Sequence, residues 1–264
     1  MLSFVSKERY GLEDFVRLIA FLRSDEGCPW DRVQTHESIR RNFLEEAYEA
    51  VEALDQGELS HMREELGDVL MQVLFHTDIE RQAGHFDIDD VADAACKKLV
   101  NRHPHVFGTP EQRAAGQDWE AEKRRERGQA TVAESMESVS RALPGLWQAE
   151  KLQGKAAKVG YDWPDADTAF QKIPEETEEL RAAIDAGDAD AMEEELGDLL
   201  FAAVKVGRFC GVDPEKAIRR SCEKFIRRFA GVESAVLAAG RRLEDCTLDE
   251  MLAIYQTVKN HEHS

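Results

Sequence analysis

The fold is decided by one stretch of sequence, EEAYEAVEALDQGELSHMREELGDVL at residues 45–70, which returns as EETEELRAAIDAGDADAMEEELGDLL at residues 175–200. The two copies align without a gap at an offset of 130, and 13 of 26 positions are identical. Self-similarity at a fixed distance indicates a duplicated structural unit. Each copy has two segments of helical spacing, joined at a glycine that can end the first helix. The stretch therefore predicts a helical hairpin that occurs twice.

The remainder of the chain also has a helical pattern. Proline is rare, with 7 in 264 residues, and segments rich in Ala, Leu, Glu, Lys and Arg carry apolar residues three or four positions apart. We predict an all-α fold of two tandem four-helix modules, residues 1–128 and 129–264. Helices are expected near residues 12–23, 38–55, 59–83, 88–103, 111–127, 143–158, 166–186, 189–210, 213–239 and 248–260.

Charge and composition narrow the class of protein. The chain has 34 Lys and Arg against 53 Asp and Glu, a formal net charge of -19, so a basic face for nucleic-acid phosphates is not expected. The five cysteines form no CxxC pair, which favours reduced thiols over a disulfide framework or a zinc site. No stretch approaches the roughly 18 apolar residues of a membrane span. We expect a cytoplasmic protein with no nucleic-acid or membrane partner.

The residues shared by the two copies are mostly acidic, and their spacing predicts that they meet. Glu49 lies eight residues before Gly57, and Glu65 lies eight after it. Glu46 lies eleven residues before Gly57, and Asp68 lies eleven after it. At 1.5 Å rise per residue these positions form two levels, roughly 12 Å and roughly 16 Å from the turn, and acids three apart share a helix face. The second copy repeats the arrangement with Glu176, Glu179, Glu195 and Asp198 about Gly187.

Four converging carboxylates predict a site for divalent cations. Like charges that face each other across a hairpin repel unless cations lie between them. Oxygen ligands without His or Cys favour a hard ion, Mg²⁺, for which Mn²⁺ can substitute. A di-iron carboxylate site would need Glu-x-x-His on two helices, and these segments lack the histidine. A solvated face is the alternative for one EExxE, but the recurrence of the whole pattern argues against it.

The motifs, in their order along the chain, resemble the MazG family of the all-α NTP pyrophosphatase superfamily. Besides the two acidic sets, the chain carries GCPWDRVQTHES at 27–38, RHPHVFG at 102–108, KVGYDW at 158–163 and EKFIRRF at 223–229. The resemblance covers nearly the whole chain. It implies Mg²⁺-dependent hydrolysis of nucleoside and deoxynucleoside triphosphates to the monophosphate and pyrophosphate, in nucleotide-pool control or house-cleaning. It also implies a four-helix module that works as a homodimer.

The resemblance assigns roles to individual residues. The metal ligands that it implies are Glu46, Glu49, Glu65, Asp68, Glu176, Glu179, Glu195 and Asp198. The leading acids of each EExxE, Glu45 and Glu175, are expected to be the catalytic, water-orienting groups. The nucleotide-binding residues that it implies are Lys172, Lys224, Arg228 and Tyr255, to which we add Glu194. Tyr255 stands where the family usually has Trp, and Ala191 stands where a basic residue is usual.

Three further residues are candidates from their position. Lys98 and Arg102 are spaced as Lys224 and Arg228 are, so each pair projects from one helix face. Such a pair either holds phosphates or forms salt bridges on the helix surface. Trp30, in the GCPWD segment, either stacks on a nucleotide base or fills a domain core.

Because duplicated modules can take on different functions, a second hypothesis is that one or both modules sense a nucleotide without cleaving it.

Overall fold

The computed structural model describes residues 4–110 and 128–262, and these residues form helices and no strand. The predicted all-α class is therefore confirmed. The chain divides into two compact units, Met1–Trp119 and Glu120–Ser264. The module boundary near Gly128 stays a prediction, and the helix expected at 111–127 lies outside the described residues. None of the described helices combines the length and the apolar character needed to cross a membrane.

The first unit is built around one long hairpin. Its helices are α1 (Leu12–Leu22), α2 (Pro29–Arg32), α3 (His36–Gln56), α4 (Leu59–Ala83), α5 (Ile88–Asn101) and α6 (Pro104–Phe107). Helices α3 and α4 form the hairpin, and α1 and α5 pack on α4. Ile19, Ile39, Leu74 and Phe75 make the buried core where α1, α3 and α4 meet. Burial of these side chains holds the hairpin against α1.

The second unit repeats the hairpin with different surroundings. Its helices are α7 (Val132–Glu137), α8 (Gly145–Ala157), α9 (Ala166–Phe170), α10 (Lys172–Ala186), α11 (Ala189–Phe209), α12 (Pro214–Ala238) and α13 (Leu248–His261), with a 3₁₀ turn at Leu243–Asp245. Helices α10 and α11 form the hairpin, α8 and α9 pack on α11, and α13 packs on α12. The predicted duplication of the hairpin is therefore present in the fold.

Glycine ends the first helix of each hairpin, as the sequence predicts. Gly57 has φ of 73° after α3, and Gly187 has φ of 69° after α10. This left-handed conformation is costly for residues that carry a Cβ, which is why glycine is preferred there. The following helix begins two residues later in both units. The two turns therefore place the acidic residues of the paired helices in the same register.

The single helix predicted at 166–186 is wrong. The structure has two helices there, α9 and α10, with Gln171 between them. Pro174 explains the break, because proline lacks the N–H that would bond to the carbonyl of Phe170 and its ring clashes with that carbonyl. The other predicted helices within the described ranges have ends that agree to within two residues. Helices α2, α6 and α7 are too short to give a periodic signal, and the sequence analysis did not predict them.

In each unit, an ion pair joins a residue that precedes the hairpin to the second helix of the hairpin. In the first unit, Arg23 Nε lies 3.0 Å from Asp78 Oδ2, and the two side chains are 3% and 6% exposed. In the second unit, Asp162 pairs with Arg208, and both side chains are mostly buried. Asp78 and Arg208 occupy the same repeat position, since they are 130 residues apart. The second helix of the hairpin therefore carries the acidic partner in the first unit and the basic partner in the second unit.

Candidate metal and nucleotide site

Three of the four predicted acids come together in the first unit. Glu46 and Glu49 project from α3 and Glu65 from α4, and each offers a carboxylate oxygen within 4.8 Å of the other two. Glu65 is 8% exposed, and its Oε2 atom is buried without a hydrogen-bond partner. A buried, unpaired carboxylate oxygen is unfavourable unless a cation or a donor satisfies it. We call these three residues the first trio.

The second unit contains the matching group. Glu176 and Glu179 of α10 and Glu195 of α11 also bring one oxygen each within 4.8 Å of the others, and Glu176 is 7% exposed. We call these residues the second trio. Lys172 Nζ lies 2.7 Å from Glu175 Oε1 and 2.9 Å from Glu176 Oε1. These hydrogen bonds, first to Glu175 and then to Glu176, raise the pKa of Lys172.

Burial, together with the crowding of like charges, raises the pKa of one carboxyl group in each trio. Burial, followed by the charges of Asp68 and Glu49, raises the pKa of Glu46 above its usual value. Burial, followed by the hydrogen bond and the charge of Glu176, raises the pKa of Glu179. A raised carboxyl pKa means that the ionised form is disfavoured where it stands. A divalent cation would reverse that balance, and an oxygen-only donor set suits a hard cation.

Asp68 and Asp198, predicted as fourth ligands, are not among the acids whose oxygens all lie within 4.8 Å of one another. Asp68 is half-buried on α4, and its charge acts on Glu46. Asp198 is exposed on α11. An aspartate side chain is one methylene shorter than a glutamate side chain, so it reaches less far from its helix. Their role as metal ligands stays a prediction.

The residues predicted to orient water lie on the exposed side of each trio. Glu45 Oε1 lies 2.8 Å from Arg41 Nε in a surface ion pair, and Glu175 is held by Lys172. Glu194 is exposed on α11, one residue before Glu195. Only Glu175 is linked to a trio member by a shared contact, since Lys172 bonds to both Glu175 and Glu176, and the roles of all three residues stay predictions.

Arg228 and Tyr255, which are predicted to contact the phosphates and the base in the second unit, lie next to each other. Arg228 of α12 is 8% exposed, and its Nε lies 2.8 Å from Glu262 Oε2. The Arg228 guanidinium carbon lies 5.9 Å from the centre of the Tyr255 ring. Lys224 is exposed one turn earlier on the same helix. Among the residues that the structure describes, Arg228 therefore forms its ion pair with Glu262 and with no member of the second trio.

The first-unit candidates lie on two different helices, α2 and α5. Lys98 is exposed in the last turn of α5, and Arg102 is the half-buried residue at its end. Trp30 lies in α2 with 62% of its surface exposed, so it does not fill the core. It lines a cavity whose wall also includes Glu46 of the first trio. The structure thus places Trp30 beside the acidic cluster.

Sequence reasoning missed His61 and Gln72 near the first trio, and Arg23, which contacts the segment that carries Trp30. His61 Nε2 lies 3.0 Å from Glu65 Oε1, and the signal was available, because a residue four positions before a helical glutamate faces it. At the same repeat position the second unit has Ala191. Gln72 lines the same cavity as Trp30 and Glu46. Arg23 donates hydrogen bonds to the backbone oxygens of Asp31 and Gln34, which follow Trp30 in the chain. Neither Gln72 nor Arg23 has a distinguishing sequence pattern.

Two helical hairpins, each with a trio of carboxylates whose oxygens lie within 4.8 Å of one another, define an all-α tandem-repeat protein with two candidate sites for divalent cations. Residues 34–107 and 165–232 match the family described as the MazG nucleotide pyrophosphohydrolase domain. Those two ranges contain both trios. The chain therefore belongs to the MazG family of nucleotide pyrophosphohydrolases.

Relatives that are named nucleoside triphosphate pyrophosphohydrolases resemble the chain over most of its length. The nucleoside triphosphate pyrophosphohydrolase/pyrophosphatase MazG of Thermotoga maritima is 40% identical over 96% of this chain and 97% of its own. The nucleoside triphosphate pyrophosphohydrolase of Escherichia coli K12 is 37% identical over 95% of this chain and 98% of its own. The enzyme of the same name from Mycolicibacterium smegmatis is 35% identical, over 89% of this chain and 62% of its own length.

Proposed function

We propose that the chain hydrolyses nucleoside and deoxynucleoside triphosphates to the nucleoside monophosphate and pyrophosphate, with Mg²⁺ as the cofactor and Mn²⁺ as a substitute. The observation that carries this proposal is the doubled carboxylate trio, within a chain that belongs to a family of nucleotide pyrophosphohydrolases. Control of the nucleotide pool, or removal of unwanted nucleotides from it in the cytoplasm, is the role that this reaction would serve.

The trio glutamates are the groups that would hold the cation. They supply oxygen ligands only, and the buried unpaired Oε2 of Glu65 fits a cation better than an empty space. When bound, the cation neutralises phosphate charge and stabilises the charge that develops on the leaving group. The protein's own part is to hold these carboxylates close together on two paired helices.

The remaining polar residues complete the reaction. Glu45 or Glu175 accepts a proton from the attacking water. The water oxygen forms a bond to a phosphorus of the α–β anhydride, the anhydride P–O bond breaks, and pyrophosphate departs. Lys172 already lies at the second trio, where its ammonium group can contact a phosphate. Lys224 and Arg228 are proposed to bind the other phosphates.

The test is an assay for pyrophosphate release. A panel of canonical and modified (d)NTPs is incubated with the full chain in Mg²⁺, in Mn²⁺ and after chelation by EDTA. We expect equal amounts of monophosphate and pyrophosphate with either cation and none after chelation. Release of orthophosphate instead, or no release from any nucleotide, would contradict the proposal.

A second candidate function rests on the differences between the trios. Lys172 bonds to the second trio, and Asn42 stands at the same repeat position in the first unit. Gln72 of the first unit is replaced by Ala202 at the same repeat position in the second unit. Because the phosphate-binding lysine is missing from the first unit, that unit is the better candidate for a module that binds a nucleotide without cleaving it. Inactivation of one trio at a time distinguishes the two functions.

We further propose that the chain works as a homodimer. Leu66 and Leu196, at equivalent repeat positions beside the trios, are 50% and 48% exposed, and Leu200 on the same helix is 48% exposed. Apolar side chains exposed in a row on a hairpin favour burial against another copy. Sedimentation should then report twice the chain mass of 29.8 kDa, and a monomer at micromolar concentration would contradict the proposal.

A further inference from the structure

Two histidines of the first unit face each other where α3 begins. His36 is the first residue of α3, and its Nδ1 atom lies 2.7 Å from Nδ1 of His76 on α4. The two ring planes are within 7° of parallel, and the ring of Phe43 packs edge-on against His76. This contact joins the start of the first hairpin helix to the second helix, and neither histidine belongs to the first trio.

Glu80 fixes the direction of the hydrogen bonds of His36. Its Oε1 atom lies 2.5 Å from His36 Nε2, and its Oε2 atom lies 2.6 Å from His85 Nδ1. The hydrogen bonds from His85 and then from His36 lower the pKa of Glu80, so its carboxylate is ionised near neutral pH. Because an ionised carboxylate only accepts hydrogen bonds, His36 carries a hydrogen on Nε2.

The distance between the two Nδ1 atoms has room for one hydrogen. When His36 is neutral with its hydrogen on Nε2, its Nδ1 accepts a hydrogen bond from His76. When one proton is added to the pair, His36 Nδ1 donates to His76 instead. When both rings are protonated, two N–H groups point at each other, and the contact has to open.

The surroundings of His76 disfavour the second proton. Burial, followed by the charge of His36, lowers the pKa of His76. Within the first turns of α3, the other charges near the pair are those of Glu37 and Arg40, which are opposite in sign. The closed contact is therefore the stable arrangement near neutral pH, and the second proton is taken up only at the expense of the contact.

The charged groups that α1 and α5 bring to α4 meet that helix at other residues. Arg23 of α1 pairs with Asp78. Asp87, at the start of α5, lines a small cavity together with Arg81. The imidazole of His76 thus titrates mainly against His36, with Glu80 and His85 on the far side of the His36 ring.

The first turn of α3 is also connected to the segment that carries Trp30. Gln34 Nε2 donates to the backbone oxygen of Trp30 at 2.8 Å, and Ser38 Oγ donates to Gln34 Oε1 at 2.7 Å. Trp30 lines the cavity whose wall also includes Glu46 of the first trio. Movement of the start of α3 would therefore reach one wall of the candidate site.

We propose that His36 and His76 form a pH-sensitive switch, which holds the start of α3 on α4 near neutral pH and releases it, with the segment that carries Trp30, in mild acid. Opening takes up one proton, because the closed pair holds at most one added proton and the open pair holds two. The switch does not depend on the proposed nucleotide chemistry. In the second unit, Ala166 and Val206 stand at the repeat positions of His36 and His76, so the switch is not repeated there.

The lowered pKa of His76 sets the direction of the effect. A group whose pKa is lower in the folded than in the unfolded chain stabilises the fold above the unfolded value, and this contribution is lost as the pH falls through the folded value. The ordinary value for histidine is 6.5. The contribution of Glu80, whose pKa is also lowered, is lost only below its ordinary value of 4.5. Between these two values, the loss belongs to the histidine pair.

The test measures amide hydrogen exchange of the full chain in steps from about pH 8 to about pH 5, with the rates corrected for the intrinsic effect of pH. Peptides that cover residues 30–40 report on the switch, and peptides that cover residues 160–170 report on the equivalent segment of the second unit. Nitrogen-15 NMR of the histidine rings at about pH 8 shows which ring nitrogens carry a hydrogen.

We expect the opening constant of residues 30–40 to rise by up to about tenfold for each pH unit below about 6.5, because opening takes up one proton. Residues 160–170 should not follow. His76→Asn should abolish the dependence, since an amide can donate to or accept from His36 Nδ1 but takes up no proton. His36→Ala should exchange quickly at every pH. His105→Asn is the matched control, because His105 is exposed on α6, and it should keep the pH dependence.

Several outcomes would overturn the inference. One is exchange of residues 30–40 that does not respond to acid, and another is a response that persists in His76→Asn. Hydrogens on both Nδ1 atoms of the pair at about pH 8, or on neither, would contradict the shared hydrogen. If His36→Ala unfolds the first unit, the comparison of the parent chain with His76→Asn still decides. None of these measurements involves pyrophosphate release, so the proposed function is tested separately.

Discussion

The substitution Glu179→Gln should lower pyrophosphate release from the second unit by about 100-fold or more. Glutamine keeps the volume of the side chain but removes a charge from the second trio. Residues that merely support a metal ligand cost about 10- to 100-fold when replaced, so the loss of a ligand should cost at least as much. Glu49→Gln is the matched change in the first trio, since the two residues lie 130 positions apart.

Comparison of the two variants assigns activity to the units. Equal losses would mean two working sites, whereas a loss only in Glu179→Gln would favour nucleotide sensing by the first unit. Glu178→Gln and Glu52→Gln are the controls, because both glutamates are exposed on the same helices and belong to neither trio. If the double variant of Glu49 and Glu179 keeps full activity, the trios are not the catalytic sites.

The same variants should change how cations stabilise the protein. A ligand present at 100 times its dissociation constant stabilises the folded state by about 2.7 kcal/mol per site. Mg²⁺ should therefore raise the melting temperature of the unaltered chain, and the rise should shrink in each trio variant. Without cations, each variant should be at least as stable as the parent, because one of several crowded like charges is gone. Thermal denaturation with and without Mg²⁺ measures both effects.

The substitution Asp78→Leu should destabilise the first unit by about 3–5 kcal/mol. It leaves the guanidinium of Arg23 buried without its partner, and breaking a buried ion pair from one side has this cost. Arg23 also donates to the backbone oxygen of Asp31 at 2.7 Å, so the segment that carries Trp30 should loosen as well. Chemical denaturation of the full chain measures the loss in free energy of unfolding.

Two further variants separate the charge effect from a general loss of packing. Arg23→Met combined with Asp78→Leu should be less destabilised than Asp78→Leu alone, because it leaves no unpaired charge in the interior. Asp25→Ala breaks the exposed pair with Arg32, whose side chains are 98% and 43% exposed, and should cost less than about 1 kcal/mol. A double variant worse than the single would contradict this account of the Arg23–Asp78 pair.

Local patterns predicted most of the helices, and the exceptions have identifiable causes. Gly57 and Gly187 each follow a periodic segment and precede another, and each ends a helix in the structure, so both hairpins were predictable. The single helix predicted at 166–186 was wrong because Pro174 interrupts it, so that the structure has two helices there. Helices α2, α6 and α7 have four to six residues, fewer than periodicity needs to be recognised.

The candidate site was predictable only in part, for reasons of distance along the chain. The glutamates of each trio lie within 20 residues of one another, and helix geometry alone relates such positions across a tight turn. Gln72 and Trp30 are 42 residues apart, and Arg23 and Asp78 are 55 apart. Their contacts depend on how α1, α2 and α4 pack, which no local spacing encodes.

The sequence by itself determined the duplication, the all-α class, the two hairpins and the levels of their acids, because each follows from helix periodicity and one glycine. Only the tertiary structure decided which three acids of each unit bring their oxygens within 4.8 Å of one another, that Arg228 contacts Glu262 and Tyr255, and that Gln72 lines a cavity together with Glu46. Those features depend on side-chain reach and on packing between helices that are distant in the chain, and both are set by burial of the whole core rather than by any one segment.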